Sequence, residues 1–284
     1  MTDLAAIEAK EQHLLSLLGE MGSVLVSFSG GVDSSYLLKI AVDALGSRAT
    51  AATGLSQTYA AEEMAEARDI AAEIGAEHIH VETAELTDPR YADNTHQRCF
   101  FCKTELYSRL VDVARERGIA VVVDGSNADD LDDFRPGLRA ARQLGVRSPL
   151  QEIGLHKSEI RALSAKHGLK TWDKPAVACL SSRFEYGDPI TVEKLRKVAA
   201  AESAMRALGF RGFRVRHHDD IARLELPPEQ FPEALERAGD LVSAVRGAGY
   251  RHVTLDLAGY RSGSMNEVLD ARLKQVRLRR ASAV

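Results

Sequence analysis

The sequence predicts an α/β protein: a doubly wound parallel sheet within residues 1–185, followed by a smaller α+β domain within residues 186–284. The first observation is that short apolar runs alternate with longer amphipathic runs, as in parallel strands connected by helices. The second is that a glycine-rich turn follows the first apolar run at once. The third is that this rhythm stops near residue 191, where alternating runs separated by a short polar turn replace it.

Each element of the first domain has its own signal. Residues 4–19 carry leucines at helical spacing, and Gly75 ends the amphipathic run that begins near residue 60. Residues 120–123 are apolar throughout, as expected of a central parallel strand that is buried on both faces. In chain order, we predict helices at residues 4–19, 34–45, 60–74, 104–117 and 156–167, and strands at residues 23–28, 50–55, 78–81 and 120–123.

The C-terminal domain is predicted to begin with a helix at residues 191–208, followed by strands at residues 213–217 and 222–226. A helical stretch that opens with proline and ends near Gly249 comes next, and a last strand spans residues 252–257. Small α+β units of this kind often pair subunits, so we expect a homo-oligomer.

The composition is that of an ordinary globular protein, with 45% hydrophobic and 27% charged residues among 284. A net charge of −4 gives no reason to expect nucleic-acid binding. The first 22 residues lack the basic and apolar regions of a secretory signal, and no run is long enough to cross a membrane. We therefore expect a cytoplasmic protein whose three cysteines are thiols or metal ligands rather than disulfides.

The central motif is the turn Ser27-Phe28-Ser29-Gly30-Gly31-Val32-Asp33-Ser34-Ser35. Gly30 and Gly31 have no Cβ, so the backbone can turn tightly and present its N–H groups to a bound anion. Ser34 is expected to cap the following helix, whose dipole favours phosphate at its N-terminus. A carboxylate beside phosphate is repulsive unless a cation lies between them, so Asp33 is predicted to bind Mg²⁺.

The string Ser29-Gly-Gly-x-Asp-Ser34 resembles the PP-loop of the ATP pyrophosphatase superfamily, which has an adenine nucleotide alpha hydrolase-like fold. The resemblance implies that the protein binds ATP and Mg²⁺ and cleaves ATP between its α and β phosphates, giving an adenylated substrate and pyrophosphate. The Gly-Lys-Ser/Thr ending of the ordinary P-loop is absent from the motif. The expected nucleotide-binding residues are Ser29, Gly30, Gly31, Asp33, Ser34, Ser35 and Gly54, with Asp124 and Ser126 from the loop after the fourth strand.

That loop is rich in carboxylates, since five aspartates fall between residues 124 and 133. A solvated surface loop would have the same composition. Its place after a parallel strand favours a second half of the ATP and Mg²⁺ site, because ligands bind outside the carboxyl ends of such strands. The segment Asp124-Gly-Ser-Asn127 also resembles the one that follows the fourth strand in GMP-synthetase-like pyrophosphatases.

The three cysteines form a second constellation, with Cys99 and Cys102 in one segment and Cys179 in another, all predicted to lie in irregular structure near the ligand face. The plain alternative is that buried cysteines act as small hydrophobic residues. Three chemistries stay open. With His96, the thiols could form a Cys₃His zinc site. The Cys-x-x-Cys pair could be redox-active, although we expect no helix start there. Three thiolates could also hold an iron–sulfur cluster with one free iron.

Several motifs together resemble the LarE family, whose members are ATP-dependent sulfur transferases that mature the nickel-pincer nucleotide cofactor of lactate racemase. They are the PP-loop, Arg98-Cys-Phe-Phe-Cys-Lys103, Asp124-Gly-Ser-Asn127 with its downstream Arg135-Pro-Gly137, Ala178-Cys-Leu-Ser-Ser-Arg183 and Arg214-Val-Arg-His-His218. The resemblance implies that ATP adenylates a carboxylate of a pyridinium-3,5-dicarboxylate mononucleotide and that sulfur then displaces AMP to leave a thiocarboxylate. It also implies catalytic roles for Asp33 and Cys179, and a homo-oligomer such as a hexamer.

The resemblance also bears on the source of the sulfur. In some family members, a cysteine at the position of Cys179 gives up its sulfur and becomes dehydroalanine. Members with two further cysteines are thought to use a [4Fe-4S] cluster instead. This chain has all three, so Cys99, Cys102 and Cys179 are predicted to hold such a cluster.

Two arginines are candidates for holding the phosphate of the substrate. Arg214 and Arg216 alternate along a predicted strand and therefore point to one face, as a phosphate clamp requires. A solvated strand face would show the same pattern. Arg183 and Glu202 are further candidates for this pocket, and the two histidines that follow Arg216 are interpreted as structural.

Other functions stay open on the sequence. A tRNA thiolation enzyme shares the PP-loop, but the net charge of −4 and the lack of further Cys-x-x-Cys modules count against it. An ammonia-dependent, amide-forming synthetase would keep its turnover without cysteines. A non-enzymatic nucleotide-binding protein would bind ATP and release no pyrophosphate.

Overall fold

The computed structural model describes residues 4–56, 58, 61–131, 136–175 and 178–261. The helices are α1 (Leu4–Glu20), α2 (Val32–Leu45), α3 (Ala61–Ile74), α4 (Pro89–Ala92), α5 (Arg98–Arg117), α6 (Pro136–Gln143), α7 (Pro149–Glu152), α8 (Lys157–Lys166), α9 (Val192–Ala207), α10 (Phe231–Glu236) and α11 (Ala238–Gly247). The strands are β1 (Val24–Ser27), β2 (Ala49–Leu55), β3 (Glu77–Glu82), β4 (Val121–Asp124), β5 (Arg214–His218), β6 (Ile221–Glu225) and β7 (His252–Leu255).

The first sheet is parallel throughout, in the order β3-β2-β1-β4. Ser27 at the end of β1 is in register with Ala52 of β2 and with Asp124 of β4. The loops that leave β1 and β4 therefore emerge at the same edge. This arrangement confirms the predicted fold class, an α/β protein with a central parallel sheet.

Helices cover both faces of this sheet. On one face, α1, α2 and α8 bury a core that includes Leu14, Leu37 and Ile160 against Val24 and Val26. On the other face, α5 and α6 bury a smaller core around Leu110. Burial on both faces explains why the central strands are almost entirely apolar.

The second sheet has three strands, with β5 antiparallel to β6 and β6 parallel to β7. The helices α9 and α11 pack on it, and their core includes Val198, Met205 and Val245. Tyr91 and Phe184 also belong to this core, although both precede the predicted boundary at residue 185. The division of the chain into domains stays a prediction.

Several predicted boundaries differ from the structure. Helix α5 begins at Arg98 rather than near residue 104, so the prediction of irregular structure there was wrong. The physical reason is tertiary packing, because Phe100 contacts the core around Leu110 while Phe101 contacts the core of the second sheet. The stretch before Gly249 forms two helices, α10 and α11, and β7 ends at residue 255. Within the described ranges, no helix has both the length and the apolar character needed to cross a bilayer.

Candidate functional site

The PP-loop connects β1 to α2 through a tight turn at Gly30, whose φ of +65° lies in the left-handed region. A Cβ at Gly30 would lie 3.0 Å from the Cα atom of Ala67, so the close approach of α3 requires glycine. Gly31 then precedes the first residue of α2 with an extended backbone. The first turn of α2 thus lies at the carboxyl edge of the sheet, where helix N-termini bind phosphate groups.

Ser34 does not cap α2, and the prediction that it would was wrong. Gly31 is the cap residue, which places Ser34 inside the first turn. The Ser34 hydroxyl accepts the backbone N–H of Ser29 at 3.3 Å and lies 3.1 Å from the Ser29 hydroxyl. The left-handed turn folds Ser29 back over the helix start, so Ser34 closes the loop instead. The hydroxyl of buried Ser35 has no hydrogen-bond partner among the described residues.

Two further glycines allow close packing at this edge. A Cβ at Gly125 would lie 2.9 Å from the backbone nitrogen of Ser34, so the loop after β4 lies directly against the PP-loop. A Cβ at Gly54 would lie 2.9 Å from the side chain of Leu106 in α5. Gly54, predicted to contact nucleotide, therefore has a packing role at the end of β2.

Asp124 organises the loop that follows β4. Its carboxylate is 4% exposed and accepts hydrogen bonds from the Tyr107 hydroxyl at 2.7 Å and the Ser148 hydroxyl at 2.8 Å. It also accepts the backbone N–H of Ser126 at 3.1 Å. These contacts orient the loop toward the PP-loop. Asp132 and Asp133 of the predicted aspartate cluster, and Arg135, lie outside the described residues.

Asp33 is paired with a lysine that the sequence analysis missed. Lys157 Nζ donates to Asp33 Oδ2 at 2.5 Å, and Asn127 Nδ2 donates to Asp33 Oδ1 at 3.3 Å. The backbone N–H of Lys157 donates to Asp129 at 2.7 Å, which fixes the start of α8 beside the loop. No sequence signal indicates this contact, because 124 residues separate the partners. The two side chains are 32% and 24% exposed, so solvent and ligands can reach them.

Lys174 approaches the PP-loop from the segment that also carries Cys179. Its Nζ donates to the carbonyl oxygen of Gly30 at 3.0 Å and pairs with Glu66 at 2.8 Å. A second cation therefore lies beside the phosphate-binding turn. Glu63, also on α3, is a half-buried carboxylate whose pKa is raised by burial.

Cys99 and Cys102 lie on the first turns of α5, and both thiols interact electrostatically with Cys179 of the Cys179 loop, which we define as residues 178–183. Burial, Glu85 and Cys179 raise the pKa of the Cys102 thiol. Cys99 keeps an exposed edge, yet desolvation of the rest of the thiol and the proximity of Cys179 raise its pKa. The pKa of buried Tyr91 is raised by burial and by Cys179 and Cys102. The three thiols and the phenol therefore influence one another's ionisation.

Two observations bear on the chemistry of the thiols. Cys99 and Cys102 lie at the start of α5, so the sequence argument against a redox pair, a missing helix start, was wrong. The raised pKa of each keeps it protonated at neutral pH and makes it a weak nucleophile. Among the described residues, which include His96, no group of three or more histidine, cysteine or acidic side chains is arranged to hold a metal ion. In chemical type, three thiols fit an iron–sulfur cluster.

The Cys179 loop is held by hydrogen bonds from the first half of the chain. The backbone N–H of Leu180 donates to the carbonyl oxygen of Thr58 at 3.0 Å. The Ser181 and Tyr91 hydroxyls are hydrogen-bonded at 2.5 Å, and both groups are buried. Thr58 in turn donates its hydroxyl to the buried carboxylate of Glu85 at 3.0 Å. The backbone next to Cys179 is therefore fixed rather than free.

Arg183 and Glu202, predicted to contact the substrate, form a buried ion pair with each other. Arg183 Nε and Nη2 donate to the two carboxylate oxygens of Glu202 at 2.8 and 2.9 Å. Burial by itself would lower the pKa of Arg183, but Glu202 outweighs it and the pKa is raised. On β5, Arg216 donates to Glu225 at 2.7 Å and to the carbonyl oxygen of Ser182 at 2.5 Å.

Arg214 lies on the same face of β5 as Arg216 and is half-buried. Its guanidinium carbon lies 5.1 Å from the centre of the Tyr260 ring. Burial and the neighbouring charges of Arg183 and Arg216 lower the pKa of Arg214. The three arginines thus form a positive cluster beside the Cys179 loop, whereas His217 is buried on the other face of the strand.

Comparison with known proteins adds independent evidence. Residues 19–223 match the family model described as asparagine synthase. The chain is 46% identical, over 93% of its length and 99% of the relative, to an uncharacterised protein of Synechocystis, slr1717. It is 40% identical, over 94% of its length and 97% of the relative, to the pyridinium-3,5-bisthiocarboxylic acid mononucleotide synthase of Lactiplantibacillus plantarum. An uncharacterised protein of Methanocaldococcus jannaschii, MJ0830, is 26% identical over 84% of this chain and 91% of its own.

The parallel sheet, the PP-loop and these matches define an ATP-dependent enzyme of the PP-loop class. Within that class, the chain belongs to the LarE family. The family and the enzyme class predicted from the sequence are therefore confirmed. The roles of the individual site residues stay predictions.

Proposed function

We propose that this protein converts a carboxylate of a pyridinium-3,5-dicarboxylate mononucleotide into a thiocarboxylate, at the expense of ATP, in the synthesis of a nickel-pincer cofactor. The L. plantarum relative is named as synthase of the corresponding bisthiocarboxylic acid. The observation that carries the proposal is that the segment with Cys179 contacts both the PP-loop and the strand with the two arginines, β5. Lys174 contacts the PP-loop at Gly30, and Ser182 contacts Arg216 on β5.

The first step is adenylation. An oxygen of the substrate carboxylate attacks the α-phosphorus of ATP, the bond to the bridging β-phosphate oxygen breaks, and pyrophosphate leaves with the electron pair. The N–H groups at the start of α2 would receive the phosphates, and Lys157 would exchange Asp33 for the leaving pyrophosphate. Asp33 would then hold Mg²⁺, which when bound neutralises phosphate charge.

The second step is sulfur transfer. A sulfur nucleophile attacks the acyl carbon, the carbon–oxygen bond to AMP breaks, and AMP leaves with that electron pair. Arg214 would hold the phosphate of the substrate and keep the acyl carbon beside Cys179, while Arg216 would add its charge to this clamp and keep its bond to Glu225. Cys99, Cys102 and Cys179 would together hold the [4Fe-4S] cluster, which when bound supplies sulfide. Without a cluster, the thiol of Cys179 would attack the acyl carbon instead. Loss of the Cα proton of this residue and cleavage of its Cβ–S bond would then release the thiocarboxylate and leave dehydroalanine.

Two substitutions separate these steps. Asp33→Ala should stop both pyrophosphate release and thiocarboxylate formation, whereas Cys179→Ala should lose sulfur transfer and keep pyrophosphate release. Both products are measured with the dicarboxylate mononucleotide and ATP. Sulfur transfer that persists in Cys179→Ala removes this residue from the mechanism. Amide formation from ammonia in a variant without thiols would support a synthetase, and salt-dependent tRNA binding would support a thiolation enzyme.

The sulfur source is decided by iron and acid-labile sulfide, measured on protein purified without oxygen. We expect about four irons per chain, lost in Cys99→Ala. If no iron is present after reconstitution, mass spectrometry after one turnover gives the answer. Loss of one H₂S from Cys179 would mean that the protein consumes its own sulfur. Light scattering on the same sample tests the predicted homo-oligomer.

A further inference from the structure

The guanidinium of Arg183 is shared between a carboxylate and the backbone of the Cys179 loop. Beyond its two bonds to Glu202, its Nη1 donates to the carbonyl oxygen of Ala178 at 2.5 Å and to that of Cys179 at 3.0 Å. Nη1 also lies 2.9 Å from the Ser182 hydroxyl. Every nitrogen of the guanidinium is therefore hydrogen-bonded to protein. Two of these bonds are to the peptide groups that precede and follow the Cα atom of Cys179.

Burial makes this arrangement rigid. The Arg183 and Glu202 side chains are 2% and 3% exposed, respectively. A buried ion pair with two parallel hydrogen bonds does not exchange with water, and removing either partner leaves an uncompensated charge. A phosphate ligand could reach Arg183 only by breaking these bonds. Arg183 therefore supports the site from the protein interior and does not contact the ligand.

Glu202 also contacts β5, the strand that carries Arg214 and Arg216, which we call the arginine clamp. Its Oε1 also accepts the backbone N–H of Val215 at 3.1 Å, between Arg214 and Arg216. The carbonyl oxygen of Ser182 receives a separate bond from Arg216. One ion pair therefore fixes the backbone that carries the donor cysteine and the backbone that carries the clamp, although the two segments are far apart in sequence.

We propose that Arg183 and Glu202 are positioning residues that set the spacing between the sulfur at Cys179 and the arginine clamp, and that neither binds the phosphate of the substrate. This inference rests on the proposed function. Sulfur transfer requires the nucleophile and the acyl carbon in near-attack geometry, while adenylation takes place at the PP-loop. Loss of the pair should therefore slow the second step and spare the first.

The test is Glu202→Gln in the full chain, which keeps the size of the side chain and removes its charge. The matched control is Glu11→Gln, because Glu11 is also buried and hydrogen-bonded, to Tyr36 at 3.0 Å and His167 at 2.7 Å, but lies on α1 and faces α2 and the end of α8. In Glu202→Gln, single-turnover thiocarboxylate formation should fall about 100-fold with pyrophosphate release and substrate KM unchanged. Glu11→Gln should match the unsubstituted protein in all three.

Two outcomes would overturn the assignment. A raised KM with an unchanged single-turnover rate at saturation would make Glu202 part of the ligand pocket. Equal losses in Glu202→Gln and Glu11→Gln would mean that any buried glutamine disturbs the whole fold.

A second measurement needs no turnover. In a background of Cys99→Ser and Cys102→Ser, Arg183→Lys should raise the rate at which Cys179 reacts with N-ethylmaleimide, because a lysine cannot hold both carbonyl groups and the carboxylate. An unchanged rate would show that Arg183 does not hold the loop. If the unsubstituted enzyme shows no sulfur transfer at all, the proposed function fails, and this rate still decides whether the pair positions Cys179.

Discussion

The nucleotide end and the sulfur end of the site are built in opposite ways. The PP-loop takes its shape from consecutive residues, with Ser29, Gly31 and Ser34 bonded to one another within one turn. The sulfur end brings together side chains from distant positions, among them Tyr91, Cys102, Cys179 and Glu202. A local turn can be read from its sequence, whereas a cluster of distant groups exists only after the chain folds.

The ion pairs at the two ends of the site differ in their exposure to solvent. Lys157 and Asp33 at the nucleotide end are 32% and 24% exposed, so a ligand can replace one partner. Arg183 and Glu202 at the sulfur end are 2% and 3% exposed, so the pair is part of the protein's interior. Charged pairs near a site therefore have two uses, and burial distinguishes an exchangeable partner from a support.

The largest expected effect tests the buried pair as a support. Glu202→Ala should lower the free energy of unfolding by about 3–5 kcal/mol, because it leaves the Arg183 charge buried without its partner. Asp112→Ala removes the partner of Arg115 from a pair that is 57% and 74% exposed, and should cost at most about 1 kcal/mol. Urea unfolding of the two variants measures the difference. Similar losses would show that burial does not distinguish the pairs.

The next effect tests the close packing at the nucleotide end. Gly125→Ala places a Cβ 2.9 Å from the backbone of Ser34, so the PP-loop must shift; the free energy of unfolding should fall by about 1–3 kcal/mol and ATP binding should weaken. Gly239→Ala in α11 meets no atom within 4 Å and should instead be neutral or stabilising by about 0.5–1 kcal/mol. Thermal unfolding of both variants, with and without ATP, measures the changes in stability and in ATP binding. Normal ATP affinity in Gly125→Ala would contradict the packing argument.

A smaller effect sharpens the assignment of the exchangeable pair. Lys157→Met should raise the Kd of Mg²⁺-ATP about tenfold, since one charge-assisted hydrogen bond to phosphate contributes about 1.5 kcal/mol or more. Lys166→Met lies on the same helix, removes the pairs of Lys166 with Glu8 and Glu11, and should leave the Kd unchanged. Calorimetric titration of both variants gives the comparison. Equal affinities would mean that Lys157 stays with Asp33 when ATP binds.

The smallest effect concerns the start of α8, which holds Lys157 in place. The pKa of Asp129 is lowered by its hydrogen bond with His156 and by the backbone N–H of Lys157. A lowered pKa in the folded state favours folding above the ordinary value of about 3.9, and this contribution is lost as the pH falls through the folded pKa. In His156→Ala, the Asp129 pKa measured by carboxyl NMR should rise toward that value. No change would assign the shift to the backbone alone.

The sequence by itself determined the features that depend on local chemistry. Alternating apolar and amphipathic runs identified the parallel sheet, because strand and helix periods are short-range properties. The string around Gly30 and Asp33 identified the PP-loop, since glycine conformation and phosphate chemistry need only neighbouring residues. The family followed from several such strings together.

Only the tertiary structure decided which side chains meet. Lys157 reaches Asp33 across 124 residues, and no periodic pattern encodes such a contact. Cys99 and Cys102 lie on a helix because Phe100 and Phe101, both partly buried, pack against two different cores, and this packing outweighs the weak local preference for helix. Arg183 was predicted from the sequence to contact the substrate, whereas in the fold it is the buried partner of Glu202. Burial and pairing are properties of the packed chain, because the free energy of a charge depends on everything that surrounds it.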